Sequence, residues 1–254
     1  MSPFDLTGRV AVITGGNGGI GLGMALGMAE AGAAIVVVGR DGEKNRLAVG
    51  EIEATGAAAH AVVADITSEA DCAAMVAAAK DRFGRLDILV NNAGINIRKQ
   101  PEDYTAAEWQ SVIDINLTGA FIGSQAAYPA MVAAGGGKII NIGSMLSIFG
   151  ASFAVAYAAS KGGIVQMTKG LASAWAKDNI QVNAVLPGWI DTDLTRRGRR
   201  EIDGLHDRVI ARTPAARWGA PQDMAGIGVF LASPASDFVA GAAIPVDGGY
   251  SIQI

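Results

Sequence analysis

The sequence has few residues of the kinds that bind metals or form disulfides. It contains one cysteine, Cys72, and two histidines, His60 and His206, that lie far apart in the chain. A single cysteine cannot form an internal disulfide, and this set offers no cluster of metal ligands. We therefore predict no metal site, and we expect Cys72 to be a small buried hydrophobic residue.

Charge is also scarce, and no stretch of the chain is strongly basic. Only 17% of the residues are charged, the formal net charge is -4, and no long run of lysine or arginine occurs. Proteins that bind nucleic acids use basic residues to follow the phosphate backbone. We therefore exclude nucleic acid as a partner and expect a small-molecule ligand.

Long hydrophobic runs of the kind that enter membranes are missing. The first apolar run follows Asp5 and is too short for a signal peptide. Segment 139–160 carries no charge and has the length of a membrane span. It is interrupted by Asn141, Ser144, Ser147, Gly150 and Ser152. We interpret it as a strand, a loop and the start of a helix, and we expect a cytoplasmic protein that does not bind membranes.

Short apolar runs alternate with longer alanine-rich segments along the whole chain. The runs occupy 9–14, 34–39, 58–64, 86–91, 138–143, 180–187 and 241–249. Nearly continuous apolar character is typical of strands buried on both faces of a parallel sheet. The pattern predicts an α/β fold with a doubly wound parallel sheet, helices on both faces, and a single domain over 1–254. The polar segment 191–214 interrupts the alternation and is interpreted as a lid.

Glycine is abundant, with 34 residues, and six glycines fall in the turn after the first strand, "TGGNGGIGLG" at 14–23. Gly15, Gly19 and Gly21 have the spacing G-x-x-x-G-x-G. A turn of this kind allows backbone N–H groups and a helix N-terminus to approach a pyrophosphate. A simple packing turn would use glycine in the same way, but the position at the start of a βαβ unit favours a nucleotide.

The end of the second run bears on the choice of nucleotide. An acidic residue there accepts a hydrogen bond from the ribose 2'-OH of NAD, whereas an arginine accommodates the 2'-phosphate of NADP. The run ends in Gly39 and Arg40. This favours NADP(H), with NAD(H) possible, because Arg40 could also be a solvated residue that Asp41 partly neutralises.

One segment places a tyrosine and a lysine on the same face of a predicted helix. Tyr157 and Lys161 are four residues apart in "YAASK", and Ser144 lies thirteen residues before the tyrosine. Tyrosine is a poor base at its free pKa near 10, and a neighbouring ammonium would lower that pKa. Ser144 directly follows the fifth apolar run, at the edge where open α/β sheets bind ligands, so its hydroxyl could donate a hydrogen bond to a ligand there. The four-residue spacing by itself is equally typical of the polar edge of a packed helix.

Taken in order, these segments resemble the short-chain dehydrogenases/reductases, and the resemblance covers nearly the whole chain. The matching motifs are "TGGNGGIG" (14–21), "NNAG" (91–94), Asn116 in "DINLTG", Ser144 in "INIGS", Tyr157 and Lys161 in "YAASK", "PGWIDT" (187–192) and "VDGG" (246–249). The resemblance implies a seven-stranded Rossmann sheet with strand order 3-2-1-4-5-6-7. It also implies an enzyme that transfers hydride between a nicotinamide cofactor and a secondary alcohol or ketone.

The resemblance further implies roles for individual residues. The catalytic group is Asn116, Ser144, Tyr157 and Lys161, with Tyr157 as general acid or base and Asn116 holding a water that links Lys161 to solvent. The cofactor-binding group is Gly15, Asn17, Gly19, Ile20, Gly21, Arg40, Asp65, Ile66, Asn91, Ala93, Gly94, Tyr157, Lys161, Pro187, Gly188, Ile190 and Thr192. Many NADP-dependent members have a basic residue where this chain has Gly18, so only one of the two usual contacts to the 2'-phosphate is visible.

The substrate is predicted less directly. The segments "NNAGINIRKQ", "INIGSMLS" and "RTPAARWG" resemble the branch that contains gluconate 5-dehydrogenase, deoxy-ketogluconate dehydrogenases and 3-oxoacyl reductases. The substrate contacts are predicted to be Arg98, Met145 and Trp189. Arg98 and the lid arginines Arg196, Arg197, Arg199 and Arg200 would attract a carboxylate.

Two alternatives to a sugar-acid substrate stay open. An apolar pocket around Met145, Ile148, Phe149 and Trp189 would favour 3-oxoacyl thioesters or hydrophobic and cyclic ketones. A non-catalytic nucleotide sensor is the alternative of a different class. Members of the family are commonly homotetramers, and the alanine-rich segments 104–132 and 153–178, low in charge, fit helices that also pack against a partner copy.

Overall fold

Seven strands form the centre of the protein, whose computed structural model describes residues 2–252. They are β1 (Val10–Thr14), β2 (Ala34–Gly39), β3 (Ala59–Val63), β4 (Ile88–Asn91), β5 (Gly137–Ile142), β6 (Ile180–Pro187) and β7 (Ala243–Val246). All neighbouring strands are parallel, and the order is 3-2-1-4-5-6-7. The predicted doubly wound sheet and its strand order are confirmed.

Nine α-helices cover the sheet. They are α1 (Gly19–Glu30), α2 (Gly42–Glu53), α3 (Glu69–Phe83), α4 (Ala106–Ile113), α5 (Gly119–Ala133), α6 (Val155–Trp175), α7 (Asp193–Glu201), α8 (Leu205–Arg212) and α9 (Ala225–Ala232), counted within residues 2–252. Strand β1 shows why both faces must be covered. Ala11 and Ile13 join a core with residues of α1, α2 and α9, while Val10 and Val12 join a second core with residues of α3, α5 and α6.

The second core contains the single cysteine. Cys72 on α3 is 1% exposed, and its thiol is not in a disulfide. Burial raises the pKa of this thiol to about 11. The interpretation of Cys72 as a small buried hydrophobic residue is confirmed.

Four strands, β1, β3, β4 and β7, are shorter than their apolar runs, and β4 and β7 show local reasons for it. Strand β4 begins at Ile88 because the carboxylate of Asp87 accepts hydrogen bonds from the backbone N–H of Val10 and from the side chains of Arg9 and Arg85. Strand β7 ends at Val246 because Gly248 and Gly249 have φ of +64° and +89°. These values lie in the left-handed region, where glycine is favoured and a strand cannot continue.

The uncharged segment 139–160 has the predicted organisation. It comprises the end of β5, a single 3₁₀ turn over Met145–Ser147, a loop, and the start of α6 at Val155. Among residues 2–252, no helix combines the length and the apolar character that crossing a bilayer would require. The polar segment 191–214 contains α7 and α8, and α8 is attached to the body through buried Leu205 and Val209.

Glycines bring α1 unusually close to the elements that follow the lid. A Cβ atom at Gly23 would overlap the carbonyl oxygen of Pro221, and one at Gly27 would lie 2.6 Å from the Cβ of Ala225. Such separations are far below van der Waals contact, so α1 can approach α9 this closely only without side chains at these positions. The helix that starts at the nucleotide-type turn is thereby fixed against the body of the protein.

Substituting Gly23→Ala tests this packing. The added methyl group must push Pro221 away from α1, so we expect the free energy of unfolding to fall by about 1–3 kcal/mol. Gly50→Ala is the matched control, because Gly50 lies on α2 and a Cβ added there would have nothing within 4 Å. This control should raise stability by about 0.5–1 kcal/mol. Urea unfolding of both variants measures the difference, and equal effects would contradict the packing argument.

Candidate active site

A cleft of about 700 Å³ opens at the carboxyl ends of the strands. Its walls include the turn after β1, the segment after β4, the end of β5 and the segment after β6. The edge formed by the carboxyl ends of parallel strands is where open α/β sheets bind ligands. The cleft therefore lies where the motifs predict it.

The glycine-rich turn lines the cleft, and two of its positions require glycine for different structural reasons. Gly15 has φ of +63°, and a Cβ there would lie 2.8 Å from Nδ2 of Asn92. A Cβ at Gly21 would overlap the carbonyl oxygen of Gly15. Nδ2 of Asn92 donates to the carbonyl oxygens of Thr14 and Gly15. At Gly15 and Gly21 the turn is thus packed too tightly for side chains, and Asn92 holds its shape.

The first turn of α1 is suited to an anion. The helix has no side-chain cap at its N-terminus and no acidic residue in its first turn. A Cβ at Gly18 would have nothing within 4 Å. The free N–H groups and the positive end of the helix dipole are exposed to the cleft beside this open space. The residues present therefore fit the pyrophosphate of a dinucleotide.

Ser144, Tyr157 and Lys161 meet at the cleft wall. Ser144 follows β5, while Tyr157 and Lys161 lie on α6. Nζ of Lys161 donates to the carbonyl oxygen of Ile142 at 2.7 Å and lies 5.6 Å from the ring centroid of Tyr157. Ser147 links the two elements a second time, because its hydroxyl donates to the Lys161 carbonyl oxygen at 2.7 Å and accepts from the Ser144 N–H. The three residues are therefore held in one place by hydrogen bonds between β5 and α6.

Asn116 lies in a single π-helical turn, Asp114–Thr118, between α4 and α5. Its Oδ1 accepts from the N–H of Ile95 at 2.8 Å, and its Nδ2 donates to the Ile95 carbonyl oxygen and to the Ser160 hydroxyl. Oδ1 of Asn116 and Nζ of Lys161 lie 3.1 and 3.6 Å from the position of a Cβ on Gly94. The π turn, a feature common at functional sites, brings Asn116 close to Lys161.

Most of the predicted site residues line the cleft. Those at its surface are Gly15, Asn17, Gly19, Ile20, Ala93, Gly94, Arg98, Ser144, Met145, Tyr157, Lys161, Pro187, Gly188, Trp189, Ile190 and Thr192. Six predicted residues do not line it, namely Gly21, Arg40, Asp65, Ile66, Asn91 and Asn116. Gly21 and Asn116 stand directly behind residues that do.

The side chain of Asn91 points into the core rather than into the cleft. Its Nδ2 donates to the Ser124 hydroxyl at 2.9 Å and to Oδ1 of Asn141 at 2.8 Å. The amide of Asn141 in turn donates to the hydroxyl of Thr168. This chain of buried polar groups connects β4, β5, α5 and α6, so Asn91 can contribute only its backbone to a ligand.

Asp65 and Arg40 lie near each other at the margin of the site. The carboxylate of Asp65 accepts hydrogen bonds from the N–H and hydroxyl of Thr67, which lower the pKa of Asp65, and the positive charge of Arg40 adds to the effect. Arg40 is exposed to solvent. Both residues are accessible to a ligand that extends beyond the cleft.

Four of the five arginines predicted to attract a substrate are paired with acidic residues. Arg98 lies 3.3 Å from a Glu201 carboxylate oxygen and donates to the Leu194 carbonyl oxygen. The lid pairs are Arg196 and Arg199 with Asp191, and Arg197 with Glu201. Trp189 packs edge-on against Trp218 with ring centroids 5.6 Å apart.

Comparison with known proteins identifies the family. A family model described as enoyl-(acyl carrier protein) reductase matches residues 15–251. A short-chain type dehydrogenase/reductase from Mycobacterium marinum has the same fold, with a TM-score of 0.93, 36% identity, and coverage of 98% of this chain and 97% of that one. This chain belongs to the short-chain dehydrogenase/reductase family.

Two further relatives of this short-chain dehydrogenase/reductase carry more specific names. The 2-dehydro-3-deoxy-D-gluconate 5-dehydrogenase of Dickeya dadantii is 43% identical over 251 residues, covering 98% of each chain. A gluconate 5-dehydrogenase from Burkholderia cenocepacia, solved in complex with NADP and tartrate, has a TM-score of 0.94 and 41% identity. That structure covers 99% of this chain and is itself covered to 98%.

The electrostatics of this short-chain dehydrogenase/reductase differ from the sequence expectation at Tyr157. Burial raises the pKa of Tyr157 above its usual value, while the Ser144 hydroxyl and the charge of Arg98 act in the opposite direction without reversing the shift. Burial also lowers the pKa of Lys161 to about 8. In the chain by itself the net shift of the Tyr157 pKa is therefore upward, because desolvation outweighs the Ser144 hydrogen bond and the charge of Arg98.

Several residues at the site were not predicted from the sequence. Lys44, on the first turn of α2, lines the same cleft as Asn17 and Gly18. Arg212, at the end of α8, lines the opposite part with Phe149 and Tyr250. Asn45 is fully buried and accepts a hydrogen bond from Nδ2 of Asn17. The only sequence signal for Lys44 was its position in the helix that follows Arg40.

The lowered pKa of Lys161 predicts a pH dependence of stability. The unfolded chain keeps this lysine protonated up to its ordinary pKa of 10.5, whereas the folded protein releases the proton near pH 8. The unfolded state binds more protons between these values, so the free energy of unfolding rises with pH in that interval. Between pH 7 and 9.5 the wild-type protein should gain about 2 kcal/mol relative to Lys161→Met.

Urea unfolding of both proteins across this range measures the difference. The upper limit of pH 9.5 keeps Tyr157, whose pKa is raised by burial, protonated in the folded wild-type protein and in the folded variant. Parallel pH profiles of wild type and Lys161→Met would contradict the assignment of a lowered pKa to Lys161.

Proposed function

We propose that this protein is an NADP(H)-dependent oxidoreductase that interconverts a secondary alcohol and a ketone in a small sugar acid. The observation that carries the proposal is the arrangement of Ser144, Tyr157 and Lys161 beside the uncapped N-terminus of α1 in one cleft. The relatives from Dickeya dadantii and Burkholderia cenocepacia, both named as sugar-acid dehydrogenases, support this substrate class.

The predicted residues fit a dinucleotide along the cleft. The turn Gly15–Asn17–Gly19 and the N–H groups of α1 would hold the pyrophosphate, with Ala93 and Gly94 beside the adenosine ribose. Pro187, Gly188, Ile190 and Thr192 would fix the carboxamide of the nicotinamide. Cγ2 of Thr192 lies 3.0 Å from the position of a Cβ on Gly19, so these two parts of the site are in contact.

Two basic residues favour a cofactor that carries a 2'-phosphate. Arg40 follows β2, and Lys44 lies four residues later and lines the cleft to which Gly18 also belongs. Neither side chain has a carboxylate of residues 2–252 within 4 Å. Lys44 would therefore take the place of the basic residue that this chain lacks at Gly18. NAD(H), which has no 2'-phosphate, would be the poorer cofactor.

Proton transfer is assigned to Tyr157. A bound nicotinamide supplies or accepts the hydride, and the alcohol or ketone oxygen then loses or gains a proton. The Tyr157 hydroxyl exchanges that proton, and the Ser144 hydroxyl donates a hydrogen bond to the same oxygen. Since burial keeps the pKa of Tyr157 high in the chain, the positive charge of an oxidised nicotinamide would assist its deprotonation. Asn116 and Lys161 would relay the proton towards solvent.

Reduction of a 3-oxoacyl thioester or a cyclic ketone is the second candidate. Met145, Phe149 and Trp189 line the cleft, and the family model that matches the chain is described as an enoyl-(acyl carrier protein) reductase. Charged residues line the same cleft, among them Arg98 and Arg212. A small anionic substrate fits this cleft better than an acyl chain, because an apolar ligand would bury the charge of Arg212 without a carboxylate partner.

A homotetramer and a mobile lid over 191–214 are parts of the same proposal. Trp109, Phe121 and Val132 on α4 and α5 are 38%, 44% and 43% exposed. Large apolar side chains exposed along one helical segment support the packing of a second copy there.

Substituting Tyr157→Phe should abolish turnover, with a loss of at least ~10²-fold, because phenylalanine has no hydroxyl that could exchange the proton. Binding of NADPH, followed by its fluorescence, should remain measurable. Substantial residual oxidation of NADPH with a sugar-acid ketone would remove Tyr157 from the mechanism, while loss of cofactor binding would mean that the substitution acts on the fold.

Removing either basic residue should change the choice of cofactor. Arg40→Ala and Lys44→Ala should each lower kcat/KM for NADPH roughly 5- to 20-fold and leave kcat/KM for NADH unchanged. Lys80→Ala, an exposed lysine on α3 that does not line the cleft, is the control. If Lys44→Ala lowers both values equally, this lysine does not bind the 2'-phosphate.

A further inference from the structure

Two arginines line the cleft, and they differ in their partners. Arg98 contacts Glu201 and the Leu194 carbonyl oxygen, so its charge is largely neutralised within the chain. Arg212 has no carboxylate within 4 Å and no hydrogen-bond acceptor among residues 2–252. Within the described part of the chain, Arg212 is thus the arginine at the cleft whose charge is available to a ligand.

Two aromatic rings hold the guanidinium group of Arg212. Its Cζ lies 5.4 Å from the ring centroid of Phe149 and 4.4 Å from that of Tyr250. Aromatic rings attract a cation through the face of the ring and leave the N–H groups in the guanidinium plane unused. The side chain is therefore positioned without consuming the donors that bind a carboxylate in a bidentate manner.

The backbone around Arg212 is fixed against the segment that carries Tyr250. The N–H of Ala215 donates to the carbonyl oxygen of Gly248 at 3.0 Å. A Cβ at Gly249 would lie 2.9 Å from Cγ of Pro214, so this close approach depends on glycine. The "VDGG" motif thereby places Tyr250 beside the end of α8.

Phe149, the other ring, belongs to the segment that carries Ser144. Its N–H donates to the carbonyl oxygen of Met145, the residue directly after Ser144. Phe149 lies one short helical turn after Met145. It therefore connects Arg212 to the cleft wall that carries Ser144. A substrate held at Ser144 and Tyr157 would extend towards Arg212.

We propose that Arg212 binds the carboxylate of the substrate and is the residue that selects a sugar acid over the neutral sugar of the same size. This rests on the proposed function, because it assumes that the cleft reduces or oxidises a sugar acid. The planar guanidinium matches both oxygens of a carboxylate, and a hydroxymethyl group in the same place would leave the charge without a partner. Arg98 then serves to hold α7 against the cleft.

The test compares 5-keto-D-gluconate with L-sorbose, in which a hydroxymethyl group replaces the carboxylate. Reduction of both by NADPH is measured for the wild-type protein, Arg212→Gln and Arg212→Lys. Arg212→Gln should lower kcat/KM for 5-keto-D-gluconate roughly 10- to 100-fold, mainly through KM, and leave that for L-sorbose within about twofold. Arg212→Lys keeps the charge but loses the planar group. Its kcat/KM for 5-keto-D-gluconate should lie between the values of the wild type and of Arg212→Gln.

The matched control is Arg208→Gln, because Arg208 is exposed on the same helix and does not line the cleft. Arg208→Gln should leave kcat/KM unchanged for both 5-keto-D-gluconate and L-sorbose. The KM for NADPH should also be unchanged in Arg212→Gln, since a rise there would assign the arginine to a cofactor phosphate and overturn the proposal. Circular dichroism and thermal unfolding establish that each variant is folded.

Failures of the two proposals can be told apart. If wild type reduces 5-keto-D-gluconate and Arg212→Gln lowers kcat/KM equally for both substrates, the role of Arg212 is overturned while the oxidoreductase activity stands. If wild type reduces L-sorbose as efficiently as 5-keto-D-gluconate, selection by charge is overturned in the same way. If wild type reduces neither, the proposed function fails, and the inference fails with it.

Discussion

The site depends on the buried ammonium group of Lys161. Its hydrogen bond to the Ile142 carbonyl oxygen joins α6 to the end of β5, two residues before Ser144. Ser147 reinforces the same junction through the Lys161 carbonyl oxygen and the Ser144 N–H. Since Tyr157 and Lys161 share one face of α6, fixing the lysine also fixes the tyrosine relative to the serine. The geometry of three reacting groups thus follows from one contact between a helix and a strand.

The same lysine explains why the site needs a ligand to work as proposed. Burial lowers the pKa of Lys161 to about 8 and raises that of Tyr157, so desolvation opposes the charged form of both. Charged side chains of the protein offset this only in part. A cationic ligand ring above the tyrosine would act on the same two groups, which couples proton transfer at Tyr157 to the state of the cofactor.

Close approach between backbones is the second general feature of the molecule. Glycines allow α1 to contact Pro221 and Ala225, and they allow the turn after β7 to contact Pro214. The first contact fixes the helix whose N-terminus faces the cleft. The second brings Tyr250 beside Arg212. The many glycines of this chain therefore act mainly in packing the elements that carry the site, in addition to the turn that faces a nucleotide.

The order of strands and helices and the residues to which we assign the reaction could be read from the sequence. Apolar runs and glycine turns are local features, and Ser144, Tyr157 and Lys161 lie in motifs that are specific when they occur together. Three features required the tertiary structure: the pairing of Arg98 with Glu201, the charge of Arg212 without a carboxylate partner among residues 2–252, and the place of Lys44 at the cleft. Each depends on which residues distant in the sequence come together and on how deeply they are buried. The direction of the Tyr157 pKa shift has the same origin, because desolvation is a property of the folded protein.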